Sequence, residues 1–358
     1  MTRNISVYLS FLRFAAAVAV VLGHARAFII PKQQNFLTIH GGEAVAVFFV
    51  LSGFVIRFVT VERGEKDWRT YATARIARIY PVLLLALIVT TVADTVGVWS
   101  NPQAYADQPW FNADTGLFHA FRILSFTNEI WFQHVIFGSD EPLWSLGFEL
   151  PFYLLMGLFL FMKGKVRAVF FLVWFSLFGP KIAAFLTLWL IGVATYDISS
   201  KLTSYSNALI GIMMFALPLI TYVYIKASVW NWPYINIFLP ETYHVIANSV
   251  AYYLGIALLV SCNIIGLSLL PSKDNVPSWL ARSIDWLAGG SFTLYAVHEP
   301  LLAFVRATFP NVVENQVVGL GTLLVVMAVA YGLAEIGERP KKLYKSFVAE
   351  CMPRRAVR

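Results

Sequence analysis

The sequence predicts an all-α integral membrane protein of about ten transmembrane helices with both termini cytoplasmic. Three observations lead there. Of 358 residues, 58% are hydrophobic and only 13% are charged, and the mean hydropathy is +0.67. Apolar runs long enough to cross a bilayer, roughly 18 residues or more, recur from end to end. Lys and Arg, finally, gather in alternate connections between those runs. A soluble domain of this size needs far more Lys, Glu, Arg and Asp to cover its surface.

The apolar stretches place helices at 7–30, 43–61, 77–98, 143–162, 166–180, 182–197, 206–226, 244–270, 287–306 and 317–336. The first, Val7 to Ile30, is too long for a signal-peptide core and is followed by no small-residue cleavage site, so it reads as a membrane helix. Gly179-Pro180-Lys181 is the only turn signal between the fifth and sixth helices. Pro240, Pro271, Pro277 and Pro310 fall in connections, where a residue without an N–H is tolerated. The segment 99–142 reads as a connection with interfacial helices, a further span being the alternative. It is rich in Trp99, Tyr105, Trp110, Phe111 and Trp131, and in Asp107, Asp114 and Asp140. Trp and Tyr at such boundaries are expected as membrane-belt residues, with stacking on a sugar as the rival use. One membrane domain over 1–340 and a basic cytoplasmic tail over 341–358 complete the expected layout.

Orientation follows from the basic residues. With the N-terminus inside, the outer side receives Arg26, Lys32, Arg122, Lys181, Lys226 and Arg306. Apart from Arg13, within the first helix, the other Lys and Arg fall inside, among them Arg63, Lys66, Lys273, Arg354, Arg355 and Arg358. The formal charge of +7 is therefore read as positive-inside anchoring beside membrane lipids, and no nucleic-acid partner is expected. Cys262 and Cys351 lie far apart and indicate neither a disulfide framework nor a metal site, so no metal is expected. Oligomeric state leaves no trace in the sequence.

A charged group at mid-membrane costs about 2.5–3.5 kcal/mol, so each one needs a reason. Arg13 and His24 are eleven residues apart. At about 100° per residue they share a helix face, ~16 Å apart along the axis. Alone, either reads as a satisfied core histidine or a snorkelling arginine. Glu149, in Trp144-Ser145-Leu146-Gly147-Phe148-Glu149, lies at similar depth to His24, which makes it the expected carboxylate to orient that imidazole as a general base. Tyr295 and His298, three apart on one face, reach comparable depth, with Glu299 beside them. Glu335, Glu338 and Arg339 read as a helix-end salt bridge near the inner surface. Also toward the inner surface, Arg75 and Arg78 form a fork of the kind that grips phosphate, with Arg57 nearby, although plain anchoring explains them too. A basic inner mouth and a His/Glu site deeper in suit a phosphorylated cytoplasmic donor.

These residues resemble the membrane-bound acyltransferase family 3 nearly from end to end. Arg13 and Gly23-His24 resemble its Arg-x10-His signature. Phe48-Phe49-Val50-Leu51-Ser52-Gly53-Phe54, Arg75-Ile76-Ala77-Arg78-Ile79-Tyr80-Pro81, and Trp144-Ser145-Leu146 through Glu149 to Phe152-Tyr153 resemble three further segments. Phe292-Thr293-Leu294-Tyr295-Ala296-Val297-His298 and Glu338-Arg339-Pro340 resemble the last two. The resemblance implies a ten-helix fold that transfers an acyl group, usually acetyl from acetyl-CoA, to a hydroxyl of a cell-surface glycan or lipid-linked saccharide. Some relatives acylate secondary metabolites. It implies His24 as the catalytic histidine and Glu149 as an essential acid. Arg75, Arg78, Arg13 and Arg57 are implied around the CoA donor, with Tyr295, His298 and Trp144 toward the substrate. Many relatives carry a fused esterase-like domain; none is expected here, so acceptor presentation falls to the membrane core and its loops. A bacterial inner membrane is the implied location. Direct transfer and an acyl-histidine relay both remain open.

Two rivals come from other classes. A flippase of a lipid-linked sugar also suits buried His, Glu and Arg, but the repeated halves of many transporters are missing. An intramembrane protease built on Ser52-Gly53 is the third reading, against which Ser and Gly commonly mark close helix packing.

Overall fold

The computed structural model describes residues 2–30, 41–62, 67–106, 108–202, 205–227, 241–271 and 276–352, without the side chains of 241–245. Lys32, Arg63, Lys66, Asp107, Pro240, Lys273, Arg354, Arg355 and Arg358 lie outside the described residues. The helices are α1 (Arg3–Phe28), α2 (Gly41–Glu62), α3 (Trp68–Ser100), α4 (Leu117–Leu124), α5 (Leu146–Phe161) and α6 (Gly164–Leu202). They continue with α7 (Ala208–Ala227), α8 (Glu241–Leu269), α9 (Ser278–Ala288), α10 (Ser291–Thr308), α11 (Gln316–Gly337) and α12 (Lys341–Cys351). Among the described residues there is no β-strand, only two isolated bridges in the segment 112–140. Eight helical segments among them are long and apolar enough to cross a bilayer. The protein is an all-α integral membrane protein.

Each stretch predicted as helix is helical, with informative differences. α3 begins at Trp68, well before the predicted 77, because Asp67 caps it by accepting the N–H groups of Arg69 and Thr70, both at 3.0 Å. The predicted turn at Gly179-Pro180 is real, and it divides α6 into two helical stretches. Gly179 has φ 80° and ψ −179°, a region open in practice only to glycine. Among its described residues the segment 99–142 holds the end of α3, the short helix α4, a 3-10 turn at Pro102–Ala104 and the start of another at Glu141, with irregular chain between them. The predicted 287–306 helix is α10, preceded by the separate amphipathic α9. In the tail, 341–351 form α12.

The chain forms two compact units. The first comprises Met1–Val20, Asn35–Gly64 and Gly179–Ala288; the second comprises Val21–Gln34, Glu65–Phe178 and Gly289–Arg358. In the first, α2 crosses the later part of α6 at Gly53 and Gly192. A Cβ on either would collide with the backbone of the other helix, so only glycine permits this approach. Ser52 of that stretch lies 3.3 Å from the indole N–H of Trp189, which agrees with helix packing rather than nucleophilic use.

In the second unit, every residue of α10 from Ser291 to Pro300 is buried. The helix packs on α3 and α11. Its N-terminus is capped from the end of α11, where buried Glu338 accepts the N–H groups of Phe292 and Thr293 at 3.0 and 3.2 Å. That carboxylate sits where the unsatisfied donors and positive end of the helix dipole favour it. The expected helix-end salt bridge exists between Arg339 and Glu335 at 3.2 Å, whereas Glu338 has this second task. The 126–145 segment is fastened to α3, since Asp94 accepts both the backbone N–H and the hydroxyl of Ser139, at 2.8 and 2.5 Å. Trp131 N–H donates to the Phe178 carbonyl at 2.9 Å, just before the break in α6.

Candidate active site

The site grows from the last part of α1, α10 and a 3-10 turn at Glu141–Ser145; its residues His24, Glu141, His298 and Glu299 all belong to the second unit. His24 stands one turn before the end of α1, and His298 and Glu299 are consecutive on α10. His24 keeps 27% of its side chain exposed, while His298 and Glu299 are buried. The two imidazoles stack with centroids 5.0 Å apart and planes 25° apart. His298 Nδ1 lies 2.7 Å from the Tyr295 carbonyl. A carbonyl only accepts, so this contact places the His298 proton on Nδ1 and leaves Nε2 as a lone pair. That lone pair is 3.0 Å from His24 Nδ1, and Glu299 Oε2 is 3.1 Å from the same nitrogen. One His24 N–H therefore faces two acceptors. Glu141, at the head of the 3-10 turn, adds a further negative charge to the field at His24.

Around this trio the polar groups are largely used by the fold. The Tyr295 hydroxyl donates to the Pro142 carbonyl at 2.9 Å and lies 2.8 Å from Ser145 Oγ, clamping the 3-10 turn to α10. Asp140, 1% exposed, has Oδ2 3.0 Å from the Thr90 hydroxyl. Thr90 has a single proton, and the Ala86 carbonyl lies 2.8 Å from the same oxygen. Burial and the nearby Glu299 charge hold the Asp140 carboxyl well above the usual carboxylate range, against the hydrogen bond that Thr90 donates to it. Trp144 packs edge-on against Phe148 at 5.5 Å.

Glu149 lies elsewhere in the unit. It accepts the Tyr153 hydroxyl, and its charge acts on Arg78 together with that of Glu338. It is not among the partners of His24; the carboxylate there is Glu299. Equal depth along two helices does not make two residues neighbours. Arg75 is buried with its guanidinium 4.2 Å above the Tyr71 ring. Arg75 and Arg78 thus belong to one layer with Glu149 and Tyr153, through the Tyr71 hydroxyl that donates to the Tyr153 carbonyl at 2.9 Å. Glu338 joins this layer to the start of α10. His298 lies about six residues further along that helix, or ~9 Å. Arg13 and Arg57 belong to the first unit, where Arg57 Nε donates to Asp197 at 2.8 Å.

Residues 6–335 match the family described as an acyltransferase domain. The chain belongs to acyltransferase family 3. A curated relative, the acyltransferase MdmB of Streptomyces mycarofaciens, is 29% identical over 163 residues, which is 41% of this chain and 37% of that protein. No solved structure matches the chain. Within this family member, sequence reasoning singled out His24 and His298, and the structure brings them together. It passed over Glu299 as a partner for His24 and left out Asp140 and Glu141. The available signal was Glu299 itself, an acid inside an apolar helix beside a histidine, which needs a donor.

Proposed function

We propose that this protein is a multi-pass O-acyltransferase of the bacterial inner membrane that moves an acyl group, acetyl from acetyl-CoA, to a hydroxyl of a cell-surface glycan or lipid-linked saccharide. Membership of the family supports acyl transfer; the resemblance of its motifs supports the donor and acceptor class. One observation carries the assignment of His24. Its partners among the described residues, Glu299 and His298, both meet Nδ1, and it alone of the three is partly exposed. Nε2 is then the basic edge offered to a substrate.

The chemistry follows from that geometry. His24 Nε2 takes the proton of the acceptor hydroxyl as its oxygen attacks the thioester carbonyl. The tetrahedral adduct collapses, the C–S bond breaks, and the CoA thiolate leaves with the proton returned from His24. Glu299, 3.1 Å from Nδ1, stabilises with Glu141 the imidazolium formed in between. A relay through acyl-His24 uses the same residues. Arg75 and Arg78 bind the donor's phosphates, and its flexible arm covers the ~9 Å along α10 to the histidines. Glu149 serves the arginine layer by holding Arg78.

The test is acetyl-CoA turnover by purified protein in detergent. CoA release lost in His24→Ala, with weaker donor binding in Arg75→Ala/Arg78→Ala, is the expected result. No donor binding in any variant or in the wild type sinks the CoA reading in favour of lipid-linked sugar transport.

A further inference from the structure

The trio has one feature that an acid–base role alone leaves unexplained. Three potential ligand atoms lie close together: His298 Nε2, Glu299 Oε2 and, in its other tautomer, His24 Nδ1. A single proton on His24 Nδ1 serves at most one of the two acceptors well. Glu299 Oε2 is buried and, although 3.1 Å from His24 Nδ1, has no aligned hydrogen-bond donor among the described residues. A cation satisfies all three atoms at once.

The donor set is that of a borderline divalent metal, two imidazoles and one carboxylate. The ligand atoms are separated by 3.0 and 3.1 Å on two edges, and all lie within 4.8 Å of one another. A tetrahedral ion bound at about 2.1 Å needs edges near ~3.4 Å, so the short edges open by a few tenths of an ångström and a carboxylate rotation closes the third. The outer support is already in place. His298 donates Nδ1–H to the Tyr295 carbonyl at 2.7 Å, the arrangement that orients a metal-ligating imidazole. The partial exposure of His24 gives an ion a route to the cluster.

We infer that His24, His298 and Glu299 form a binding site for a zinc-class divalent cation, and that its occupancy switches the transferase off. The binding stands on the ligand geometry; the inhibition rests on the acyl-transfer reading above. Metal at Nδ1 requires that nitrogen's lone pair, so the imidazole proton must sit on Nε2. Neutral His24 then changes tautomer with no net proton release, whereas protonated His24 loses one proton to solvent. In either case Nε2 carries a hydrogen and no longer accepts one from the acceptor hydroxyl. This cation site departs from the expectation of no metal, which rested on the spacing of two cysteines.

The experiment uses the full chain in detergent without a polyhistidine tag. Co2+ binding is followed by its visible d–d absorption and Zn2+ binding by calorimetry, in parallel with acetyl-CoA turnover. The expected result is one ion per chain, with affinity lowered by at least ~10–100-fold in His298→Ala and in Glu299→Gln. Micromolar Zn2+ stops turnover and EDTA restores it. His298→Gln, of similar size, separates loss of a ligand from loss of fold. His134→Ala is the control at a two-residue pair, His134 Nδ1 with Glu129 Oε1 at 2.7 Å, and retains binding. Absent binding, or binding equal in wild type and both His298 variants, overturns the site. Binding as expected with turnover indifferent to Zn2+ overturns the switch. A protein that binds Co2+ but turns over no donor upholds the site and removes the acyl-transfer reading instead.

Discussion

Two buried polar clusters within apolar helices invite comparison, one in each compact unit. In the first unit Glu43 of α2, 3% exposed, pairs with Lys226 of α7 at 2.5 Å and accepts the Tyr222 hydroxyl at 2.6 Å and that of Tyr252 of α8. Its charge is balanced and both of its oxygens have donors. In the second unit His24, His298 and Glu299 have more acceptors than donors, and one member reaches accessible space. A closed network holds helices together, because every buried group is satisfied. An open one is suited to chemistry, since a substrate proton or a cation completes it. Burial of charge alone does not distinguish the two; donor and acceptor counting does.

The comparison breaks most visibly on deletion of each cluster's central group. His24→Ala is expected to lower acyl transfer by about 10²–10⁴-fold with an unchanged unfolding temperature. Glu43→Ala should do the reverse. It removes the carboxylate 2.5 Å from half-buried Lys226 and the acceptor of the Tyr222 and Tyr252 hydroxyls, a loss on the order of 3 kcal/mol, with turnover per folded molecule retained. Thermal unfolding and kcat measured on the same preparations check both, and a Glu43→Ala protein of normal stability contradicts the closed-network account. Tyr295→Phe has a smaller effect, about 1–3 kcal/mol, from the Ser145 and Pro142 groups left unpaired. It should show as a lower unfolding temperature and a modest loss in kcat with donor KM unchanged.

The smallest effect is one of pH. Asp140 has a folded-state pKa well above 3.8, so the folded state holds its proton where the unfolded state releases it. Its contribution to stability is present at low pH and is lost as pH rises from near 3.8 through the folded value. Asp140→Asn should flatten that part of the profile and raise the unfolding temperature at neutral pH. Unfolding scans across pH on both proteins read this out.

Much of the fold was legible because length and apolarity decide what crosses a bilayer, and both are one-dimensional. Gly179-Pro180 was legible for the same reason, as local backbone chemistry. Starts and caps were less so: Asp67 extends α3 through a loop that hydropathy ignores, and Glu338 reaches across to cap α10. The site was half legible. His24 and His298 stood out as ionisable groups in apolar helices. The choice of carboxylate failed because depth is one coordinate, and Glu149 and Glu299 differ in which helix lies beside α1. Asp140 and Glu141 sit in irregular chain, where no periodicity marks them.

The central claim is that Glu299, and not Glu149, is the carboxylate that works with His24. Acetyl-CoA turnover and donor KM in Glu299→Gln and Glu149→Gln test it most directly. The account predicts that Glu299→Gln lowers kcat by about 10²-fold or more at unchanged KM, while Glu149→Gln acts chiefly on KM through Arg78. Full activity in Glu299→Gln beside a kcat collapse in Glu149→Gln would contradict it and return His24 to the partner expected from depth.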